Sequence, residues 1–304
     1  MTGFPHAASA AQGLRAARRQ LGAMIDAALA GARLIRDQRG SFIAWMGLWL
    51  GAVTLAALLV AFGGGAPRHV SMGDTLSARF GPFAVLLMTL FLLSWAATTV
   101  AVFRAMLQPD RKGFFYLRLG IEELRLAILS LVAFILVVIL GSVPAFLLLA
   151  LASPFMRALP ALVKYIAVAG ALATIAVDVW VGVRLSLIAV ETFAEGRFHL
   201  TAYWPLARGR FWYLLGLYAL CFLLLLGLGA LVGLATGGLE LAQDWVGMPH
   251  GADPARRVAL LVIAGVYAAL FSASWVASTA LFCAAQAHAF RAITGVQRRR
   301  MPGF

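Results

Sequence analysis

Six apolar stretches dominate the sequence, at residues 42–62, 82–103, 126–151, 165–187, 211–236 and 258–287. Each is long enough to cross a hydrocarbon core of ~30 Å, which takes about 20 residues. Five of them contain no charged residue, and the fourth contains Asp178 and, near its end, Arg184. Of the 304 residues, 62% are hydrophobic and 12% charged, and a chain of this size cannot hide that much apolar surface from water. Lipid can cover it. Lipid also leaves backbone groups no partner but each other, and the runs lack the alternation of barrel strands. The expected fold class is therefore all-α and integral to the membrane, with six transmembrane helices.

Lys and Arg set the expected orientation. Residues 1–40 hold six, the segment after the second run five, the segment after the fourth run four when Arg184 at the end of that run is counted with it, and the C-terminus four, while the three other loops hold two each. The split is 19 against 6, with the same sign at every loop. It predicts that both termini are cytoplasmic, and the excess of Ala, Leu and Arg suggests a bacterium, hence an inner (cytoplasmic) membrane. The net charge of +13 then reflects topology and anionic headgroups, and nucleic acid is not an expected partner.

The basic segments carry apolar patterning of their own. Leu14, Ala17, Leu21, Ile25, Ala28, Leu29, Ala32 and Ile35 recur with a helical period, with Arg15, Arg18, Arg19, Asp26, Arg33 and Arg36 on the other faces. This predicts an amphipathic helix lying in the cytoplasmic interface. Residues 114–125 and 198–210 look similar. Three units of interfacial helix plus transmembrane hairpin would follow. Phe91-Leu-Leu-Ser-Trp-Ala-Ala-Thr-Thr99 resembles Phe271-Ser-Ala-Ser-Trp-Val-Ala-Ser-Thr279, as such a repeat requires. The expected organisation is a basic amphipathic segment at 1–40, a six-helix domain at 41–290 and a basic tail at 291–304.

Asp178 is the sharpest chemical signal, ~20 Å along its run from the outer end. An ionised carboxylate at that depth is costly and should face other helices or water. Thr98, Thr99, Ser278 and Thr279 are the candidate hydroxyl partners of a packing residue. The competing reading is a proton, cation or substrate site near the Pro144 break in the third run. Arg184, Arg208 and Arg210 are candidates for headgroup or anion contacts, or simple topology anchors. Gly47 with Gly51, and Gly229 with Gly233, have the spacing that permits close helix approach. His6, His69, His199, His250 and His288 are scattered, and Cys221 and Cys283 share no metal spacing. No metal, cofactor or catalytic constellation is expected, and the chain is not read as an enzyme.

Arg184-Leu-Ser-Leu187, followed by Tyr203-Trp204-Pro-Leu206-Ala-Arg208-Gly209-Arg-Phe211-Trp212, resembles poorly characterised bacterial six-helix membrane proteins. These include the membrane domain fused to some glycerophosphoryl diester phosphodiesterases. Tyr203 departs from the Ser usual in that family, and Ala207 from the Thr. The resemblance implies a fold and a membrane address and carries no activity. The leading expectation is a non-catalytic protein that organises lipid or partner proteins. Its expected partners are anionic lipids, with a protein partner or homo-oligomer as a further option. The alternative is a transporter or permease component using Asp178.

Overall fold

The computed structural model describes residues 18, 20–63, 81–110, 113–118, 120–152, 160–196, 209–246 and 254–295. Its described residues are all-helical apart from turns. Helical residues 20–28 lead into α1 (Ala30–Asp37). There follow α2 (Arg39–Gly63), α3 (Gly81–Leu107), a 3-10 turn (Phe114–Tyr116) and α4 (Ile121–Ala152). Then come α5 (Pro160–Leu185), α6 (Ile188–Glu195), α7 (Phe211–Val246) and α8 (Pro254–Thr294). Among the described residues, six helices are long and apolar enough to cross a membrane, and they match the six apolar runs. Side chains such as Met88, Phe146, Leu172, Leu231 and Leu261 are exposed along them. Each helix presents apolar surface outward, as a multi-pass membrane protein does toward lipid.

The chain divides into two compact units. Unit 1 is Met1–Glu123 with Leu217–His288, and unit 2 is Leu124–Gly216 with Ala289–Phe304. The core of unit 1 is built around two fully buried tryptophans of α2, Trp45 and Trp49. Trp49 packs against Phe91 of α3 and Trp275 of α8, with ring centroids 5.6 and 5.2 Å away. The two stretches that look like sequence repeats thus meet one tryptophan. Its indole N–H donates to the Thr98 hydroxyl at 3.0 Å, and Thr98 donates in turn to the Ser94 carbonyl. Every polar hydrogen in that chain has an acceptor, which is what an apolar surrounding demands. Unit 2 buries Leu126 and Leu129 of α4, Val181 and Val183 of α5, and Ile188 and Val190 of α6.

The segment before the first span, expected to lie flat, is helical from residue 20 and partly buried. It joins α2 almost without a break, because Gln38 N–H bonds Leu34 and Phe42 N–H bonds Gln38. Ala27, Ala28, Ala30, Gly31 and Leu34 are buried, while Leu21 and Ile25 are exposed. Gly31 sits on the α8 backbone, where a Cβ would lie 2.7 Å from the Ala280 carbonyl oxygen. Small residues permit that approach, as they do between membrane helices generally. By contrast, a Cβ at Gly47, Gly51, Gly229 or Gly233 meets no described atom within 4 Å.

The second expected interfacial helix is not a helix. Over 114–125 the chain makes one 3-10 turn and a short loop, and α4 starts at Ile121. Phe115 and Tyr116 both take positive φ, at 51° and 63°. That conformation interrupts a helix and costs roughly 1–2 kcal/mol per residue for an L side chain. The start at Ile121 is fixed by the Gly120 N–H, which donates to Glu123 at 2.9 Å. This is the reach-back half of a capping box. The third such segment, 198–210, lies outside the described residues except for its last two positions.

Candidate functional site

Among the ionisable side chains of the apolar helices, Arg104 in unit 1 and Asp178 in unit 2 stand out. In unit 1, Arg104 closes α3 and is buried together with Glu123 of α4. The guanidinium meets Glu123 Oε1 at 2.6 Å and Glu122 Oε2 at 2.7 Å. It also donates to the Tyr116 carbonyl at 3.1 Å. Trp45 donates to the Phe115 carbonyl at 3.0 Å. The two left-handed residues therefore each present a carbonyl to a buried donor. Those bonds hold backbone that would otherwise relax. Burial, helped by Asp110, raises the Tyr116 phenol above its ordinary range.

The loop so fixed holds an aromatic pair outward. Phe114 is 76% exposed and packs edge-on against Phe115, with centroids 5.1 Å apart. Phe115 lies over Gly40, where a Cβ would be 3.4 Å from its ring. Exposed Arg39 adjoins Gly40, and the exposed Arg118 guanidinium folds over Gly113. The result is an aromatic–basic surface at the Arg104 end of unit 1. Sequence reasoning counted Arg104 only as a topology marker. The available signal was an Arg in the last turn of one run with two acids in the first turn of the next.

In unit 2, Asp178 of α5 packs against buried Gly141 of α4, its Cγ 2.7 Å from where a Cβ of residue 141 would stand. Asp178 Oδ1 has no hydrogen-bond partner among the described residues, and neither does Thr174 Oγ1 one turn earlier. The helix runs through Pro144. The hydroxyls expected as partners, Thr98, Thr99, Ser278 and Thr279, belong to unit 1. Thr98 serves Trp49 and Ser94, Thr279 donates to the Trp275 carbonyl at 2.9 Å, and Thr99 faces the Cys283 thiol at 3.9 Å. Ser278 is half-buried on α8.

The candidate anion contacts of unit 2 do not gather into one arrangement among the described residues. The Arg184 guanidinium lies 4.5 Å over the Trp180 ring, a cation–π contact. Arg210 is exposed beside Phe211 and Trp212 at the start of α7, and Arg208 lies outside the described residues. Arg125, not singled out from sequence, donates to the Gly196 carbonyl where α6 ends in a left-handed glycine. No group of three His, Cys, Asp or Glu is placed to hold a metal ion among the described residues. The chain matches no protein-family model, no curated protein and no solved structure.

Proposed function

We propose that this chain is a multi-pass protein of a bacterial inner membrane that gathers anionic lipid headgroups at its cytoplasmic face and catalyses no reaction. The observation that carries the proposal is the surface of Phe114, Phe115, Arg39 and Arg118, with its backbone held by Trp45 and Arg104. Aromatic rings beside arginines suit the headgroup boundary, where the ring enters the acyl edge and the guanidinium meets phosphate. The strain at Phe115 and Tyr116 is stabilised by two buried donors, so the loop is held ready to contact lipid. Arg210 beside Trp212 supplies the same chemistry at α7. The Lys and Arg asymmetry supports the cytoplasmic assignment, and the family resemblance at residues 184–212 supports the membrane address.

The test is a lipid titration of the purified chain in detergent, read by thermal unfolding. Phosphatidylglycerol should raise the midpoint more than phosphatidylcholine, and the preference should shrink with salt. The double variant Phe114→Ser, Arg118→Gln should weaken the anionic preference by roughly fivefold, the factor for one basic residue at a charged surface. Equal response of the wild type to both lipids would sink the reading. A second reading, a transporter or permease component, is favoured by one observation only, the setting of Asp178 against Gly141.

A further inference from the structure

A polar atom inside a bilayer needs a partner, because the hydrocarbon offers none. Asp178 and Thr174 are one helical turn apart, hence on one side of α5. Each has a buried side-chain oxygen that no described residue satisfies. Across from Asp178, α4 presents Gly141, whose missing side chain leaves the space that the carboxylate fills. Three residues further on stands Pro144, within the helix and without an N–H. The carbonyl of Leu140, next to Gly141, therefore lacks its helical donor. Nearby, Ser142 donates to the Ile139 carbonyl at 3.0 Å, so that hydroxyl hydrogen is already committed.

α5 thus carries a carboxylate oxygen and a hydroxyl oxygen that no described residue satisfies, and α4, which Asp178 touches at Gly141, carries a freed carbonyl one residue away. Oxygen-only sets suit hard cations. Charge then selects among them. One carboxylate is neutralised by one monovalent ion, whereas a divalent ion leaves a net charge in a low-dielectric surrounding. We infer that Asp178, Thr174 and the Leu140 carbonyl form an intramembrane binding site for a small monovalent cation of the Na⁺ class. Asp178 supplies the charge. Thr174 and Leu140 replace part of the hydration shell, and Gly141 lets the carboxylate lie against α4. The site lies wholly within unit 2. It does not depend on the lipid-gathering role of unit 1.

The experiment is thermal unfolding of the full chain in detergent at constant ionic strength, with choline chloride replaced stepwise by NaCl or KCl. Na⁺ should raise the wild-type midpoint by a few degrees along a saturable curve, and K⁺ should do so less. Asp178→Asn should abolish the response. In choline alone it should equal or exceed the wild type in stability, because the uncompensated charge is gone. Thr174→Val keeps the carboxylate and the shape, and should shift half-saturation upward about tenfold. It decides the matter if Asp178→Asn does not fold. Superimposed Na⁺ and choline curves for the wild type would overturn the inference. So would a Na⁺ shift that survives both substitutions. A midpoint that follows pH alone, with no preference among cations, would equally overturn it and mark a neutral carboxyl group.

Discussion

Arg104 in unit 1 and Asp178 in unit 2 face the same elementary problem and meet it differently. Each is an ionisable side chain in apolar surroundings. Arg104 has its answer within the chain, from Glu122, Glu123 and the Tyr116 carbonyl. Asp178 lies against a glycine, and its Oδ1, like Thr174 Oγ1 one turn earlier, has no partner among the described residues. The first arrangement is closed, and its use is to fix the shape of a loop. The second is left unsatisfied by the described residues, and the proposed cation would answer it. A charge inside a membrane protein is thus informative less by its presence than by whether the chain itself satisfies it.

The largest expected effect breaks or confirms this contrast directly. Arg104→Ala should destabilise the protein by about 3–5 kcal/mol, because Glu123 would stay buried without its counter-charge. Glu123→Ala should cost a similar amount for the converse reason. Asp178→Asn, measured without Na⁺, should cost less than about 1 kcal/mol or stabilise. Chemical unfolding of the three variants in one detergent gives the comparison. Equal losses in all three would mean that Asp178 is as fully paired as Arg104, and the distinction between the units would fail.

The spans were readable from sequence because lipid imposes a length and a composition, and 42–62 or 211–236 satisfy both with no charge at all. The site was only half readable. Asp178 and Pro144 stood out one at a time, since an acid and a proline are rare within apolar runs. That Gly141 lies opposite Asp178 depends on how α4 and α5 pack, which no local pattern encodes. Arg104 was hidden for another reason. Its partners lie 18 and 19 residues away, across a loop whose path is set by two left-handed residues with no glycine to announce them. Amphipathic spacing suggested a helix over 114–125, yet tertiary donors overrode it. The glycine pairs at four-residue spacing were the opposite case, a familiar pattern with no described residue packed on it. The close approaches are at Gly31 and Gly141, where no such pattern points.

Glycines offer the next test, of intermediate size. Gly141→Ala should cost about 1–3 kcal/mol, the range for overfilling a packed site. The new methyl group and the Asp178 carboxylate cannot share the space. The loss should fall by more than half in an Asp178→Ala background, since the obstacle is then gone. Gly47→Ala should be neutral or slightly stabilising, because no described atom stands within 4 Å of the new methyl group and alanine favours helix. If Gly141→Ala costs the same with and without the carboxylate, Asp178 is not what fills the gap.

The smallest effect concerns alkali, and it should belong to unit 1. Tyr116 is raised above the ordinary tyrosine range, first by burial and then by Asp110. The folded protein therefore holds that proton more tightly than the unfolded chain does. Its contribution to stability is fully present below about pH 10, the unfolded value, and declines as pH rises from there through the raised folded value. Tyr116→Phe removes the titration and should flatten this part of the pH dependence, while the Na⁺ response stays as in the wild type. Asp178→Asn should do the reverse, losing the Na⁺ response and keeping the alkaline slope. Unfolding midpoints between pH 9 and pH 11, in NaCl and in choline chloride, separate the two. A Tyr116→Phe variant that also lost its response to Na⁺ would show that the closed and open sites are coupled.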